Sequence, residues 1–141
     1  MEFRDFETEV QENILKLLDN HISVSIDLIK SDGSLLPMLL LPDSKQIVSL
    51  QPKNEVIDVD KAYAVVVDRL KREEFSYALF SYSTQIGLAN GKKTDAIKSI
   101  IFTSKGIEVS FFTPYSAKGL FKKTITVEKT ILDEINEHVF D

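Results

Sequence analysis

Apolar residues recur along this chain with two periods, one helical and one of strands. Phe3, Phe6, Val10, Ile14, Leu17 and Leu18 fall at three- and four-residue steps, which places them on one stripe of an amphipathic helix. Glu2, Asp5, Glu7 and Glu9 crowd its first turns and Lys16 lies near its end, the order a helix dipole favours. Asp19-Asn20 is the predicted stop. The pattern then switches: Ile22, Val24, Ile26 and Leu28 alternate with Ser23, Ser25 and Asp27, as in a half-buried strand. Ser31-Asp32-Gly33-Ser34 forms a turn, and Leu35 to Leu41 returns as a second strand. Pro37 has no amide hydrogen for a ladder, so this strand is expected at an edge or bulged. Asp43-Ser44-Lys45 turns again before a short third strand, Gln46 to Leu50.

Pro52 to Asp58 is a polar connector, too short for a domain linker, so residues 1–141 are read as a single domain. A second helix follows with Val59, Ala62, Tyr63, Val66, Val67 and Leu70 on one face. Asp58 is its predicted cap, because a short carboxylate there accepts the free amides of the first turn. Arg69, Lys71 and Arg72 fit the carbonyl end of that helix as a solvated basic turn. Ser76 to Ile86 begins apolar on both faces, as a central strand would, and becomes hydroxyl-rich through Ser81, Tyr82, Ser83 and Thr84. After a Gly87 to Thr94 loop, Asp95 to Thr103 and Ile107 to Thr113 flank Ser104-Lys105-Gly106, the pattern of a β-hairpin. Pro114-Tyr115 closes it, Ser116 to Gly119 is read as a loop and Phe121 to Ile125 as a last short strand. Val127 to Phe140, with Val127, Ile131, Leu132, Ile135 and Val139 as its stripe, predicts a third helix. The order implies an α+β fold, a mainly antiparallel sheet of about five to six strands with three helices packed largely on one face.

Composition narrows the function classes. Hydrophobic residues make up 43% and charged residues 28% of the 141, ordinary globular usage. The chain has no cysteine, so a disulfide framework, a thiolate metal site and a Cys nucleophile are excluded, and a reducing cytosol fits. No run approaches a membrane span, and the acidic Met1-Glu2-Phe3-Arg4-Asp5 start is unlike a secretory signal. A net charge of -5 with scattered cations argues against a nucleic-acid backbone as partner.

The motifs that carry chemistry are few. Gly87-Leu88-Ala89-Asn90-Gly91-Lys92-Lys93-Thr94 departs from a phosphate loop: three residues separate its glycines, a second Lys precedes the Thr, and a strand follows. His21 and His138 sit near helix ends without metal-ligand spacing and read as surface or capping residues; no metal or cofactor is expected. Ser81 and Ser83 lack a nucleophile elbow and read as strand polarity. Asp27, Asp95 and Glu108 would form an acid–base pair only if strand register brought two together. Lys92, Lys93, Lys98, Lys105, Lys118, Lys122 and Lys123 make the second half more basic, which protection of edge strands explains better than an oligonucleotide groove.

Asp32-Gly33-Ser34-Leu35-Leu36-Pro37, the Ala62 to Leu70 helix, Asp95-Ala96-Ile97, Ser104-Lys105-Gly106-Ile107 and Pro114-Tyr115 together resemble small uncharacterised bacterial α+β proteins. In those, a Gly-x-Leu-x-Pro hairpin precedes a helix and a later Pro-Tyr hairpin. The resemblance implies the fold and a bacterial cytosolic setting, and no activity. The expectation is a cytoplasmic, non-enzymatic binding or accessory module that acts through self-association, as a homodimer, or through a protein partner. Its apolar interface candidates are Leu36, Met38 and Leu40, with Tyr82 and Tyr115. The alternative is a hydrolase or small-ligand enzyme whose site lies where the 87–95 loop meets Tyr82, Thr84, Asp95 and Tyr115.

Overall fold

A computed structural model describes residues 2–33, 35–50, 58–118 and 124–137. In chain order it contains a 3-10 turn at Phe3–Asp5, then α1 (Thr8–Asp32), β1 (Met38–Leu41), a second 3-10 turn at Pro42–Ser44, β2 (Gln46–Ser49), α2 (Val59–Leu70), β3 (Tyr77–Gly87), β4 (Lys93–Thr103), β5 (Ile107–Lys118), β6 (Thr124–Val127) and β7 (Ile131–Glu137). The strands form one antiparallel sheet in the order β2-β1-β3-β4-β5-β6, with β7 also paired to β5. The fold class is therefore α+β, as the alternating pattern implied.

The first helix does not stop at Asp19-Asn20, and no strand follows it. α1 runs 25 residues to Asp32 and ends on Gly33, whose left-handed φ of 86° lets its amide reach the Ile29 carbonyl. Its buried stripe is Ile14, Leu18, His21, Ser25 and Ile29, spaced as a helix requires. Two of those five residues are polar, so the stripe is invisible to a count of apolar residues. Ile22 and Ile26 flank it on one side, Val24 and Leu28 on the other, and that flanking produces the apparent alternation.

α2 begins where its cap predicts: Asp58 Oδ1 accepts the amides of Asp60 and Lys61 at 3.0 and 3.3 Å. The first of the early strands starts at Met38 and not at Leu35. Pairing of β3, β4 and β5 is continuous, Tyr77 opposite Thr103 and Asp95 opposite Tyr115. β5 does not stop before Pro114 but continues to Lys118.

The final helix is a second correction. Thr124–Val127 and Ile131–Glu137 are strands, both laid antiparallel along the outer edge of β5. Long-range pairing with an otherwise open edge overrides the three–four spacing of Ile131, Leu132 and Ile135, and the β-branched run Thr124, Ile125, Thr126, Val127 favours it. β6 and β7 are one edge strand interrupted at residues 128–130. Pro114 sits opposite the interruption, where its carbonyl accepts the Glu128 amide at 2.8 Å and its missing amide hydrogen interrupts no ladder. Phe121 to Lys123, most of the Pro52–Asp58 connector, and Val139 and Phe140 lie outside the described residues.

Among the described residues the α-helices are two, not three, and they pack on opposite faces and not on one. Ala62, Val66 and Leu70 of α2 pack on Ala78, Phe80, Ile100 and Phe102, with Leu39 and Leu41 from β1. Ile14 and Leu18 of α1 pack with Phe6 on Leu79, Ile101, Val109 and Phe111. Ile29 and Leu35 cover Ile97 and Tyr115 further along that same face. Adjacent residues of each central strand thus feed different cores, which is why those strands read as apolar on both sides. No helix among the described residues is long and apolar enough to cross a membrane.

Candidate functional site

α2 covers only part of its face of the sheet. Beside its first two turns, and bounded on the far side by β7, lies a cavity of about 240 Å³. Its floor comes from β3, β4 and β5 through Phe80, Tyr82, Lys98, Ile100, Glu108 and Ser110; Val59, Asp60 and Tyr63 close one side, Glu134 and Asn136 the other. The period of two brings these together: Tyr82 pairs with Lys98, Ile100 with Ser110, Glu108 with Asn136 and Ser110 with Glu134.

The centre of the site is Glu108, only 4% exposed. One carboxylate oxygen accepts the Tyr63 hydroxyl in a short hydrogen bond, and the other accepts Asn136 Nδ2 at 3.0 Å. Burial pushes the Tyr63 phenol well above its ordinary range, and its bond to Glu108 and the charges of Glu108 and Glu134 add to this. Tyr82 is raised by burial first, then by Asp60 and Asp133. Both rings therefore remain neutral phenols at physiological pH. The Lys98 ammonium lies 2.6 Å from Asp133 Oδ2 and 4.2 Å from the centroid of the Phe112 ring. Ser110 Oγ donates to the same Asp133 oxygen at 3.0 Å. These contacts orient Glu108 and Lys98 before anything enters.

The residues singled out from sequence are distributed over both faces. Tyr82 and Thr84 lie on the α2 side, whereas Asp95 and Tyr115 belong to the α1 side by register, so these four do not line one cleft. Tyr115 is buried against Ile29, Leu35 and Ile97, its hydroxyl 3.4 Å from Ser83 Oγ. Asp95 is exposed and takes Gln85 Nε2 at 3.4 Å. Met38 and Leu40 are half-buried beside α1, and Leu36 and Met38 line a shallow recess with Leu28, Leu35, Pro37, Ile47 and Ser49. Asp27 is on the exposed side of α1, far from any strand ladder, so of the three carboxylates considered only Glu108 reaches the cavity.

His21 is neither a surface nor a capping residue. It lies within α1, 4% exposed, with Nε2 2.6 Å from Ser81 Oγ. Burial lowers its pKa from 6.5 to about 4, so the ring is neutral at pH 7. Ser81 and Ser83 are structural as well: the first meets His21, and the second accepts the Leu35 amide at 2.6 Å. His138 lies outside the described residues, as do Lys122 and Lys123. Among the described residues no three His, Asp or Glu side chains are grouped to hold a metal ion.

Tyr63, Glu134 and Asn136 were not singled out by sequence reasoning. In the sequence Tyr63 is one more member of the α2 stripe, and the two β7 residues fall in a segment with helical spacing. Lys98 and Glu108 carried the detectable signal, since each interrupts a run of strand-forming apolar residues. Compared with family models, curated proteins and solved structures, the chain matches none.

Proposed function

We propose that this chain is a binding module that captures a small ligand in the cavity between α2 and β7. The observation that carries the reading is a buried carboxylate, Glu108, held by Tyr63 and Asn136 in the floor of a half-open cavity. Burying a charge is unfavourable unless it is paired or used, and convergent polar groups in an aromatic-lined hollow are the ordinary form of a ligand site. Glu108 and Lys98 are tied to protein partners, an arrangement suited to orienting a ligand.

The test is an NMR screen of small fragments of both charges and neutral character. Binders are expected to shift the amides around Tyr82, Lys98, Glu108 and Ser110. Ser110→Leu, which fills the floor, and Asp60→Trp, which blocks the exposed rim, are expected to abolish those shifts. Binders that all map elsewhere, or that ignore both variants, would overturn it.

A second reading, self-association as a homodimer, is supported by the outermost strand β2. Ile47 is 64% exposed there, beside the recess formed by Leu28, Leu36 and Met38. Gln46, Ile47, Val48 and Ser49 carry no charge, whereas the opposite edge, β7, carries Asp133, Glu134 and Glu137. Charged edges resist strand-to-strand association and uncharged ones permit it. Light scattering is expected to show a dimer that Ile47→Lys converts to monomer; a wild-type monomer at high concentration would remove this reading.

A further inference from the structure

We propose that β2 pairs antiparallel with β2 of a second copy, Val48 facing its counterpart on a two-fold axis, so that one sheet runs through the dimer. This rests on the self-association reading and adds the partner strand, its direction and its register.

The backbone of β2 selects the residues that face outward. β2 ends the strand order, with β1 on its inner side. The Leu50 amide donates to the Pro37 carbonyl at 2.9 Å, while Val48 lies opposite Leu39 and Gln46 opposite Leu41. Hydrogen-bonded positions alternate along an antiparallel pair, so Gln46, Val48 and Leu50 turn their amides and carbonyls to β1. Ile47 and Ser49 turn theirs outward, where among the described residues no strand meets them. A row of such groups is a template for another strand. A two-fold axis at Val48 sets Ile47 opposite the partner's Ser49, and each such pair exchanges both of its N–H···O=C bonds. Setting Ile47 opposite itself would instead draw in Lys45, whose left-handed φ of 54° lies outside strand geometry.

The side chains fit the same register. Ile47, 64% exposed, and Ser49 line the recess of about 180 Å³ with Leu28, Leu36, Pro37 and Met38. The partner's Ile47 comes to lie beside Ser49, whose small side chain leaves the mouth of that recess open to it. The exchange is reciprocal, as a closed two-fold contact requires. Each copy thus carries both the apolar side chain and the hollow that receives it, which favours a second copy over a foreign strand. Gln46 to Ser49 bear no charge, so pairing the strand with itself opposes no like charges. One short strand and one recess per copy cover less than the roughly 800 Å² per partner of a standard interface, so the dimer dissociates on dilution.

The chain has no cysteine, so a single introduced one can bridge only to its own copy. The two Val48 positions are about 4.5 Å apart between Cα atoms, within the span of a disulfide, and the two Ile47 positions lie on a diagonal of roughly 7–8 Å. Under mild oxidation of the full chain, Val48→Cys is expected to give covalent dimer about tenfold faster than Ile47→Cys. Ser49→Pro removes an outward donor and no bond to β1, so it is expected to abolish the dimer in light scattering with an unchanged circular dichroism spectrum. Ser49→Ala is expected to keep the dimer. A dimer that survives Ser49→Pro, or that cross-links as readily through Ile47→Cys, overturns this pairing while self-association stands through another surface. A wild-type chain still monomeric at about 1 mM removes self-association itself and leaves the edge to an extended segment of a different protein.

Discussion

His21 is held neutral in the folded chain and regains an ordinary imidazole pKa on unfolding. A base whose pKa falls from 6.5 to about 4 on folding binds its proton more readily in the unfolded state between those values. Stability is therefore unaffected by this group above pH 6.5 and declines as the pH falls toward 4, by roughly 3 kcal/mol in all. Urea midpoints measured from pH 8 to 4 are expected to show that decline, and His21→Gln to flatten it. A variant with the same acid dependence as wild type would place the titration elsewhere. Ser99, cross-strand from Ser81 beneath the same helix, has a buried hydroxyl with no hydrogen-bond partner among the described residues. A hydroxyl removed from water without a partner is unfavourable, so Ser99→Ala is expected to stabilise the protein by about 1 kcal/mol in equilibrium denaturation.

The helix α2 and the long α1 differ in what holds their ends, and both ends can be tested. Removing the Asp58 cap by Asp58→Ala leaves two first-turn amides without their acceptor and is expected to cost about 1 kcal/mol. Gly33→Ala forces a side chain into a left-handed φ of 86° and is expected to cost about 1 kcal/mol, read as a lower urea midpoint. These caps also separate what was legible in the sequence from what was not. Asp58 announces α2 because the residue, the apolar stripe and the helix lie within a few positions of each other. α1 reads as too short because the centre of its stripe, His21 and Ser25, is polar, and only burial against the sheet reveals that they belong to it. β7 has the local period of a helix, yet its conformation is decided by the open edge of β5, a partner set by tertiary structure and absent from any local period. The cavity was illegible for a related reason. Its residues come from α2, β3, β4, β5 and β7, and only register brings them together.

At the scale of the whole molecule, the sheet is a wall between two cores. Ile14 is fully buried on the α1 side and Val66 fully buried on the α2 side, in different apolar clusters. Ile14→Val is expected to cost about 1 kcal/mol and Val66→Ala about 2 kcal/mol. The double variant should lose the sum within about 0.5 kcal/mol, because neither side chain shares a partner with the other. A much larger departure would mean that strain crosses the sheet. The strand interruption opposite Pro114 has its own dynamic consequence. The edge of β5 is closed by two separate pieces, so β7 can peel away as a clasp while β6 keeps its pairing with Tyr115 to Lys118. Amide deuterium uptake in Ile131–Glu137 is then expected to outpace that of Tyr77–Gly87, and an occupant trapped behind the clasp would slow it. Equal uptake in β7 and the central strands would mean instead that the Asp133 and Asn136 contacts hold that margin as firmly as the interior of the sheet.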